Sequence, residues 1–486
     1  MSEPMNSKSS PTLSRYLNVF TFILIAAVFY WMTYYSVSSF FPTSIPVHHD
    51  DYANYSLAAS RFEWSWIRPL STGLVYFLSA LGPDWLIWTV RVCTVTYAYL
   101  CWKILVELVN PRTYWITLFF FVMAALSTPI IAEYARYTGM ITHMMSGCFG
   151  LAAVYFLFKD DRVESDNWLY VSVALLLLST LAKEDFVLFY IFSAAYILFK
   201  SDKPTRKRLL VGLIGLTMSL FMVAGAKFLA VSSFLGASDA QSSYYIDTSP
   251  SGVINTVWRY LTGAGHPAMI NHGKIIAGAM VFSAIAALIL LVRDRTLPKT
   301  LYVVGAALTL IAPYSVLPNH VNAYYELIWL PFVIGSVYVA LAELMRVDQG
   351  SVLRSAIPAL FLAALATQLY MVDTPGRLSV AGWYDAAGTD NAKVLNYLEH
   401  NKADINAAPS VCIYGASALS PWYIHNSQYL ATVMGLHTVW NIFINKNSPL
   451  YAGMQQGADS SAGRVVVRDI SEFNADCLKL KVGNSE

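Results

Sequence analysis

Two adjacent carboxylates, Asp50 and Asp51, follow the first long apolar stretch of the chain. A carboxylate that is partly removed from water has a raised pKa and can take a proton from a hydroxyl group, so the pair suits a general base. The same residues could instead cap a helix predicted to begin at Tyr52, and each carboxylate could fill one role. His48 and His49 precede the pair, but no second group of ligands has the spacing of a metal site. We therefore expect no cofactor and keep a divalent metal only as a less favoured alternative.

A lysine lies at the turn between two short apolar segments. Segments 168–182 and 186–199 would rise only about 20–23 Å as helices, against a hydrocarbon core of about 30 Å. Lys183 at their junction would therefore be recessed, where an unpaired ammonium is costly. Its partner could be Glu184 or Asp185, which follow it in the chain. Alternatively, it could bind a phosphate, which lysine contacts as a point charge.

The other polar and aromatic candidates also fall between apolar segments. Glu133 and Arg136 are three residues apart and could pair across one helical turn. Trp258 is either an interfacial aromatic residue or a surface on which a sugar ring stacks. The remaining candidates are Arg68, Tyr137, Arg259 and His320.

The composition indicates what kind of protein holds these residues. Of 486 residues, 56% are hydrophobic and only 13% are charged, about half the charged fraction of a soluble domain. This excludes an ordinary soluble enzyme and a disordered chain. The net charge of +2 offers no field that would attract a nucleic acid. We therefore predict a polytopic membrane protein whose partner is the lipid bilayer.

Apolar segments divide the chain into a short tail, a membrane domain and a soluble domain. Residues 1–15 form a polar N-terminal tail, and residues 16–372 hold the apolar segments. Residues 41–84 and 235–274 are long loops within this part. Eleven segments are long or apolar enough to be counted as transmembrane helices: 16–40, 85–109, 113–131, 138–158, 168–182, 186–199, 209–234, 275–292, 300–317, 324–343 and 355–372.

Residues 168–199 could form one continuous span or a hairpin. A continuous span would place Lys183 and its neighbouring carboxylates at its centre, at roughly 2.5–3.5 kcal/mol for each charge. With a hairpin, the loops on the side of the N-terminus carry fifteen Lys and Arg residues, and the opposite loops carry six. Cytoplasmic loops are the ones enriched in these residues. We therefore predict the hairpin, a cytoplasmic N-terminus and a C-terminal domain on the outer face.

Residues 373–486 contain no segment that could span a bilayer and are predicted to form a small α/β domain. Cys412 and Cys477 lie in this part, and on the outer side they could form a disulfide, or they could remain two free thiols. The periodicity predicts helices at 391–400 and 421–433, and strands at Ser410–Tyr414, Val439–Ile444 and Val465–Val467.

The order of these motifs resembles the GT-C class of polytopic glycosyltransferases, which use polyprenyl-phosphate-linked sugars. The likeness covers most of residues 16–372 and rests on four motifs: Asp50-Asp51 after the first span, Arg68-Pro69-Leu70, Glu133 with Arg136-Tyr137, and Leu181-Ala182-Lys183-Glu184. Within the class, the chain length and the outer α/β tail are most like O-antigen-modifying glucosyltransferases of serotype-converting phages and bacteria. The resemblance implies an all-α polytopic GT-C-like fold of about eleven helices in the bacterial inner membrane, with a periplasmic C-terminal domain.

The resemblance also implies roles for the candidate residues. Asp50 would be the general base, with Asp51 as the alternate, and Glu133 would help to form the catalytic site. The sugar, glucose by this likeness, would move from undecaprenyl phosphate to a hydroxyl of a periplasmic glycan such as lipopolysaccharide O-antigen. Many members carry an Arg-Tyr near the start of a late span, whereas this chain has His320 there. The donor phosphate would contact Lys183, Arg136 and Arg68, and the substrates would contact Glu184, Asp185, Tyr137, Trp258, Arg259 and His320.

Two other functions remain open for such a chain. An O-antigen polymerase or ligase would use an oligosaccharide pyrophosphate, but these proteins typically rely on outer loops rich in Arg and His. A transporter or flippase for lipid-linked sugars would need polar groups along a path near the bilayer midplane. Arg91, Lys103 and Lys227 are the cations within the predicted spans, and they are few for such a path.

Overall fold

A computed structural model gives the structure of the chain. It describes residues 19–27, 68–81, 83–109, 140–163, 166–200, 245–264, 269–321, 325–346, 402–408, 410–414, 439–444, 465–473 and 477–481, with shorter pieces within 206–220 and 356–372 and at 400 and 446–447. The described part is mostly helical. Its labelled helices are α1 Pro69–Leu81, α2 Pro83–Val109, α3 Ile141–Val163, α4 Asp166–Ala182, α5 Val187–Lys200, α6 Pro250–Thr262, α7 Ile270–Asp294, α8 Lys299–Ser315, α9 Glu326–Leu344 and α10 Lys402–Ala407.

Four of the described helices are long and apolar enough to cross a membrane. The qualifying stretches are Trp88–Val109 in α2, Ile141–Lys159 in α3, His272–Asp294 in α7 and Glu326–Leu344 in α9. Each of them matches a predicted span. The described parts of the spans predicted at 16–40, 209–234 and 355–372 are helical too, whereas the span predicted at 113–131 lies outside the described residues.

Helix α9 forms the centre of the helical core, and α7 lies at its edge. Apolar residues cover all sides of α9, as expected of a helix surrounded by others, and it packs against α8, α7 and α2. Helix α7 leaves a large apolar face exposed, which is consistent with contact with lipid. The exposed residues are Val281, Phe282, Ile285, Leu288, Ile289 and Val292.

Helices α4 and α5 form the predicted hairpin. Ser172 Oγ of α4 and the Tyr190 hydroxyl of α5 share a hydrogen bond of 3.0 Å. In one straight helix these two residues would lie about 27 Å apart along the axis, so the chain must fold back between them. Both helices also pack on α3, and the hairpin is confirmed in place of a continuous span.

The stretch predicted as a loop at 235–274 contains helix α6 and the beginning of α7. Ser249 Oγ accepts a hydrogen bond from the Gly252 amide at 3.1 Å, and Pro250 occupies the first turn, where its missing amide hydrogen has no cost. The helix ends at Gly263, whose φ of 71° favours glycine. The capping residues therefore mark the two ends of a helix that the hydropathy pattern did not predict.

The described part of the tail is a parallel four-stranded sheet in the order β3-β2-β1-β4. The three predicted strands are confirmed, with β3 two residues longer than predicted and β4 unpredicted. Cys412 of β1 and Cys477, next to β4, form a disulfide, so the bonded alternative is confirmed. Nearly all of the helix predicted at 391–400 and the whole of that at 421–433 lie outside the described residues. The strands are β1 Ser410–Tyr414, β2 Val439–Ile444, β3 Val465–Asp469 and β4 Leu478–Lys481.

Candidate functional site

The turn of the hairpin consists of Lys183 and the short 3-10 helix Glu184–Phe186. Lys183 has an extended backbone with φ −167° and ψ 150°, which ends α4 at Ala182. Its amide still donates to the Ser179 carbonyl oxygen at 2.8 Å. The chain therefore leaves one helix and enters the next within a single residue, and Lys183 lies at the point of reversal.

Serine side chains from two neighbouring helices hold the backbone of this turn. Ser146 Oγ of α3 donates to the Lys183 carbonyl oxygen at 2.7 Å, and Ser71 Oγ of α1 donates to the Ala182 carbonyl oxygen at 3.0 Å. Ser179 Oγ of α4 donates to the Ser146 carbonyl oxygen at 2.8 Å. Because buried carbonyl groups require donors, these serines fix where the turn lies against α3 and α1.

Glycines of α3 allow Phe186 to pack closely behind the turn. A Cβ atom at Gly150 would lie 2.5 Å from Cβ of Phe186. A Cβ atom at Gly147 would lie 2.7 Å from the ring of Tyr97 and 3.1 Å from the ring of Phe186. The hairpin therefore approaches α3 at a distance that only glycine allows at position 150.

The Lys183 ammonium is buried, with 7% of the residue exposed. Its Nζ lies 3.5 Å from Asp185 Oδ2. It also lies 2.5 Å from Nε2 and 3.0 Å from Nδ1 of His143, which α3 contributes. Of the two predicted partners, Asp185 pairs with the lysine directly, and His143 is a partner that the sequence did not indicate.

The Asp185 carboxylate contacts both the Lys183 ammonium and the His143 ring. Its Oδ2 accepts a hydrogen bond from His143 Nδ1 at 2.7 Å, and the Tyr314 hydroxyl also donates to its carboxylate. Burial alone would raise the pKa of Asp185, but Lys183 and His143 outweigh burial and hold the pKa well below its usual range. Burial lowers the pKa of Lys183, and Asp185 offsets part of this effect.

Two tyrosines form an aromatic wall beside the ammonium. The rings of Tyr314 and Tyr325 stack with centroids 3.8 Å apart. Lys183 Nζ lies 5.8 Å from the centroid of each ring, within reach of a cation–π attraction. The ammonium thus lies in an aromatic setting, and both tyrosines are buried as Lys183 is.

Arg68 and Glu184 lie at the exposed edge of this cluster. Arg68 precedes α1, and its guanidinium lies 3.8 Å from the Glu184 carboxylate. Both side chains are more than a third exposed, so the pair contributes little to stability. Arg68, predicted to bind phosphate, is therefore near Lys183 and accessible from solvent.

The structure places two of the remaining predicted residues close to this cluster. His320 precedes α9, and its ring lies 6.0 Å from that of Tyr325. Burial, and to a smaller extent the Lys183 charge, lower the pKa of His320. Arg259 of α6 donates to the Pro318 carbonyl oxygen at 2.6 Å, which ties α6 to the loop that carries His320. Trp258 on the same helix is exposed.

A second buried pair supports the wall of tyrosines. His272 Nε2 of α7 and Glu326 Oε2 of α9 are 2.8 Å apart, and both side chains are fully buried. Glu326 directly follows Tyr325 and begins α9. The pair therefore links the beginning of α7 to that of α9, close to the aromatic wall.

Five predicted site residues lie outside the described part of the chain: Asp50, Asp51, Glu133, Arg136 and Tyr137. Their roles remain predictions. Conversely, the sequence did not indicate His143 or Tyr314. A signal for His143 existed, because it is the one histidine within a predicted span, and ionisable residues inside spans usually mark functional sites.

Comparison with models of known protein families gave no match, and comparison with curated proteins gave none either. The function is therefore inferred from the residues and from their geometry.

Proposed function

We propose that the chain is a membrane glycosyltransferase of the bacterial inner membrane. It would move a sugar, glucose by the resemblance in sequence, from undecaprenyl phosphate to a hydroxyl of a periplasmic glycan such as O-antigen. In this proposal eleven helices span the membrane, the N-terminus is cytoplasmic, and residues 373–486 form a periplasmic domain. The turn at Lys183 then faces the periplasm.

The observation that supports the proposal most strongly is the buried ammonium of Lys183. Burying a lysine is costly unless a partner compensates for the lost water. The surrounding serines and Gly150 hold this lysine at the end of a hairpin whose two helices are too short to reach far beyond the hydrocarbon core. In this proposal the donor phosphate enters the protein to meet the recessed lysine, which is a suitable contact for it. Tyr314 and Tyr325 stack on each other and are buried, so in this proposal they support the ammonium that meets the phosphate.

The proposed reaction breaks the bond between the anomeric carbon and the phosphate oxygen. The acceptor hydroxyl attacks the anomeric carbon, its proton passes to Asp50 or Asp51, and the bonding electron pair leaves with the lipid phosphate. Glu133 would help to orient the reactants. Cations near the leaving phosphate stabilise its developing charge, so the step does not require a metal. Lys183, Arg136 and Arg68 would supply these cations, and Glu184, Asp185, Tyr137, Trp258, Arg259 and His320 would line the substrate sites.

A transfer assay with the full-length protein in lipid nanodiscs tests this function. Radiolabelled undecaprenyl-phosphate-glucose is the donor, lipopolysaccharide with O-antigen is the acceptor, and labelled glycan is measured. Lys183→Ala should raise the KM for the donor about 10- to 150-fold, the loss expected for a hydrogen bond to a charged group. Lys200→Ala, at the exposed opposite end of the same hairpin, is the matched control and should behave as wild type. An unchanged KM in Lys183→Ala would refute the phosphate role.

The base is tested in the same assay. Asp50→Asn should lower kcat by about 10²- to 10⁴-fold if Asp50 accepts the hydroxyl proton, and Asp51→Asn should do so if the proton passes to Asp51. Full activity in both variants would exclude the pair as the base.

The two other functions give different results with purified protein. A polymerase or ligase would consume an oligosaccharide pyrophosphate and leave the monophosphate donor intact. A transporter or flippase would move the lipid between leaflets and release no sugar from it. Either result would replace the proposed function.

A further inference from the structure

His143 lies in the middle of the buried cluster around Lys183. Its Nδ1 is 2.7 Å from Asp185 Oδ2 and 3.3 Å from the Tyr314 hydroxyl. Its ring centroid is 5.5 Å from that of Tyr325. Because a carboxylate can only accept hydrogen bonds, the contact with Asp185 puts a proton on Nδ1. Nε2 then accepts a hydrogen bond from the Lys183 ammonium at 2.5 Å, and it is the nitrogen that can take a second proton once that ammonium turns away.

The charges at the turn cancel among the described residues. Lys183 pairs with Asp185, and Arg68 pairs with Glu184. With His143 neutral, the described part of the turn has no net charge. The described residues of the site are therefore balanced in charge while His143 is neutral.

A bound lipid phosphodiester would disturb this balance. It carries one negative charge, and a charge buried without compensation is expensive. Histidine is the side chain that can gain a positive charge near neutral pH. His143 already contacts both ions of the buried pair, so a proton on its ring would act where the excess charge arises.

We propose that His143 is a positioning residue of the donor site that takes up one proton when the lipid phosphate binds beside Lys183. The Lys183 ammonium turns from Asp185 and His143 to the phosphate and so leaves the Nε2 lone pair. A proton from solvent then binds Nε2, and the imidazolium neutralises Asp185 through Nδ1. This inference rests on the proposed function, because it requires a phosphodiester lipid at this site.

Other ionisable groups lie on the elements around His143, and their titration must be distinguished from that of His143. Arg68 precedes α1, Tyr97 belongs to α2, and Tyr314 belongs to α8. The turn contributes its two carboxylates and Lys183. The loop before α9 contributes His320, and Tyr325 and Glu326 lie at the beginning of that helix. Among these residues, His320 is the other histidine.

Calorimetry of donor binding to the full-length protein in detergent tests the proposal. The probe is polyprenyl-phosphate-glucose, whose phosphodiester does not titrate between about pH 5.5 and pH 8.5, the range in which histidines do. Titrations in paired buffers of different ionisation enthalpy count the protons taken up. We expect about one proton for each donor molecule. The Kd should rise with pH by up to about tenfold per unit while that proton is being lost.

Variants assign the proton to its residue. His143→Gln should abolish the proton uptake and flatten the pH dependence of Kd. His143→Asn, which retains a donor toward Asp185, provides the same test if the Gln variant does not fold. His400→Gln, an exposed histidine near the tail sheet, is the control and should take up the proton as wild type does.

Several outcomes would overturn the proposal. The first is proton uptake that persists in the His143 variants. The second is proton uptake that is lost in His320→Gln while the His143 variants retain it. The third is donor binding by the wild type without proton uptake, as would occur if Arg136 supplied the charge. In each of these cases the lipid still binds and the proposed function stands. A wild-type protein that neither binds the donor nor transfers its sugar at any pH would refute both.

Discussion

Gly150→Ala should displace the turn that carries Lys183, because the added methyl group has no room. Its Cβ would lie 2.5 Å from Cβ and 2.7 Å from Cγ of Phe186. Cβ is present in every residue except glycine and does not move when a side chain rotates. Relief therefore requires that the hairpin and α3 move apart.

The expected magnitude follows from two opposing effects. Overpacking of a buried contact costs about 1–3 kcal/mol, and a contact that no rotamer can relieve belongs at the upper end of this range. Replacing glycine by alanine inside a helix contributes about 1 kcal/mol of stability. Gly150→Ala should therefore lower the free energy of unfolding by about 1–2 kcal/mol.

Gly278→Ala in α7 is the matched control. A Cβ atom there meets nothing within 4 Å, so the variant gains helix propensity without a clash. Since this gain is common to both variants, the difference between their unfolding free energies isolates the clash, at about 2–3 kcal/mol. Reversible unfolding in mixed detergent micelles measures it, and donor Kd should rise in Gly150→Ala alone. Equal unfolding free energies would refute the close packing of Phe186 on Gly150.

Three further predictions concern the tail, the second buried pair and the loop before α9. Cys477→Ser should lower the unfolding free energy of the tail by about 4 kcal/mol, because the disulfide with Cys412 closes a separation of 65 residues; a denaturation curve unchanged from wild type would contradict this. Glu326→Leu should cost about 1–3 kcal/mol in detergent unfolding, because the buried His272 ring loses the carboxylate that it contacts, and Glu326→Gln should cost less because its amide oxygen still accepts; equal costs would argue against the bond. Burial and the Lys183 charge lower the pKa of His320 in the folded chain, so the unfolded chain binds more protons, and stability should fall as pH drops from about 6.5 toward the folded pKa. His320→Asn should flatten this part of the stability curve in thermal unfolding, and an unaltered curve would exclude His320 as its source.

Long apolar stretches made most of the described helices predictable from the sequence. The elements that were missed lack such stretches. Glu326–Leu344 is apolar on every side and could hardly be anything but a buried or spanning helix. The hairpin was predictable because three charged residues interrupt 168–199. Helix Pro250–Thr262 was missed because its signal lies in Ser249, Pro250 and Gly263 rather than in hydropathy. Strand Leu478–Lys481 was missed because lysines alternate with its two leucines.

The cluster around Lys183 was only half predictable, because its members are distant in sequence. Asp185 is two residues from Lys183, so their pairing could be proposed from the sequence. His143 lies 40 residues before Lys183, and Tyr314 lies 171 residues after His143. No pattern within one segment links such residues. These residues come together through the packing of α3, the hairpin and α8. The glycines and serines of α3 that allow this packing are uncharged, so the sequence gives no signal of their role.

The residues that fix the position of Lys183 differ from those that balance its charge. Ser146, Ser71 and Gly150 hold the backbone of the turn through neutral hydrogen bonds and close packing. Asp185 and His143 contact the ammonium and each other, and the His143 ring also contacts Tyr314 and Tyr325. Because the two sets are separate, the proposed exchange of Asp185 for a phosphate would leave the turn in place. A rigid turn also means that binding energy is not consumed in ordering the chain, so the exchange depends mainly on the charge that His143 can supply.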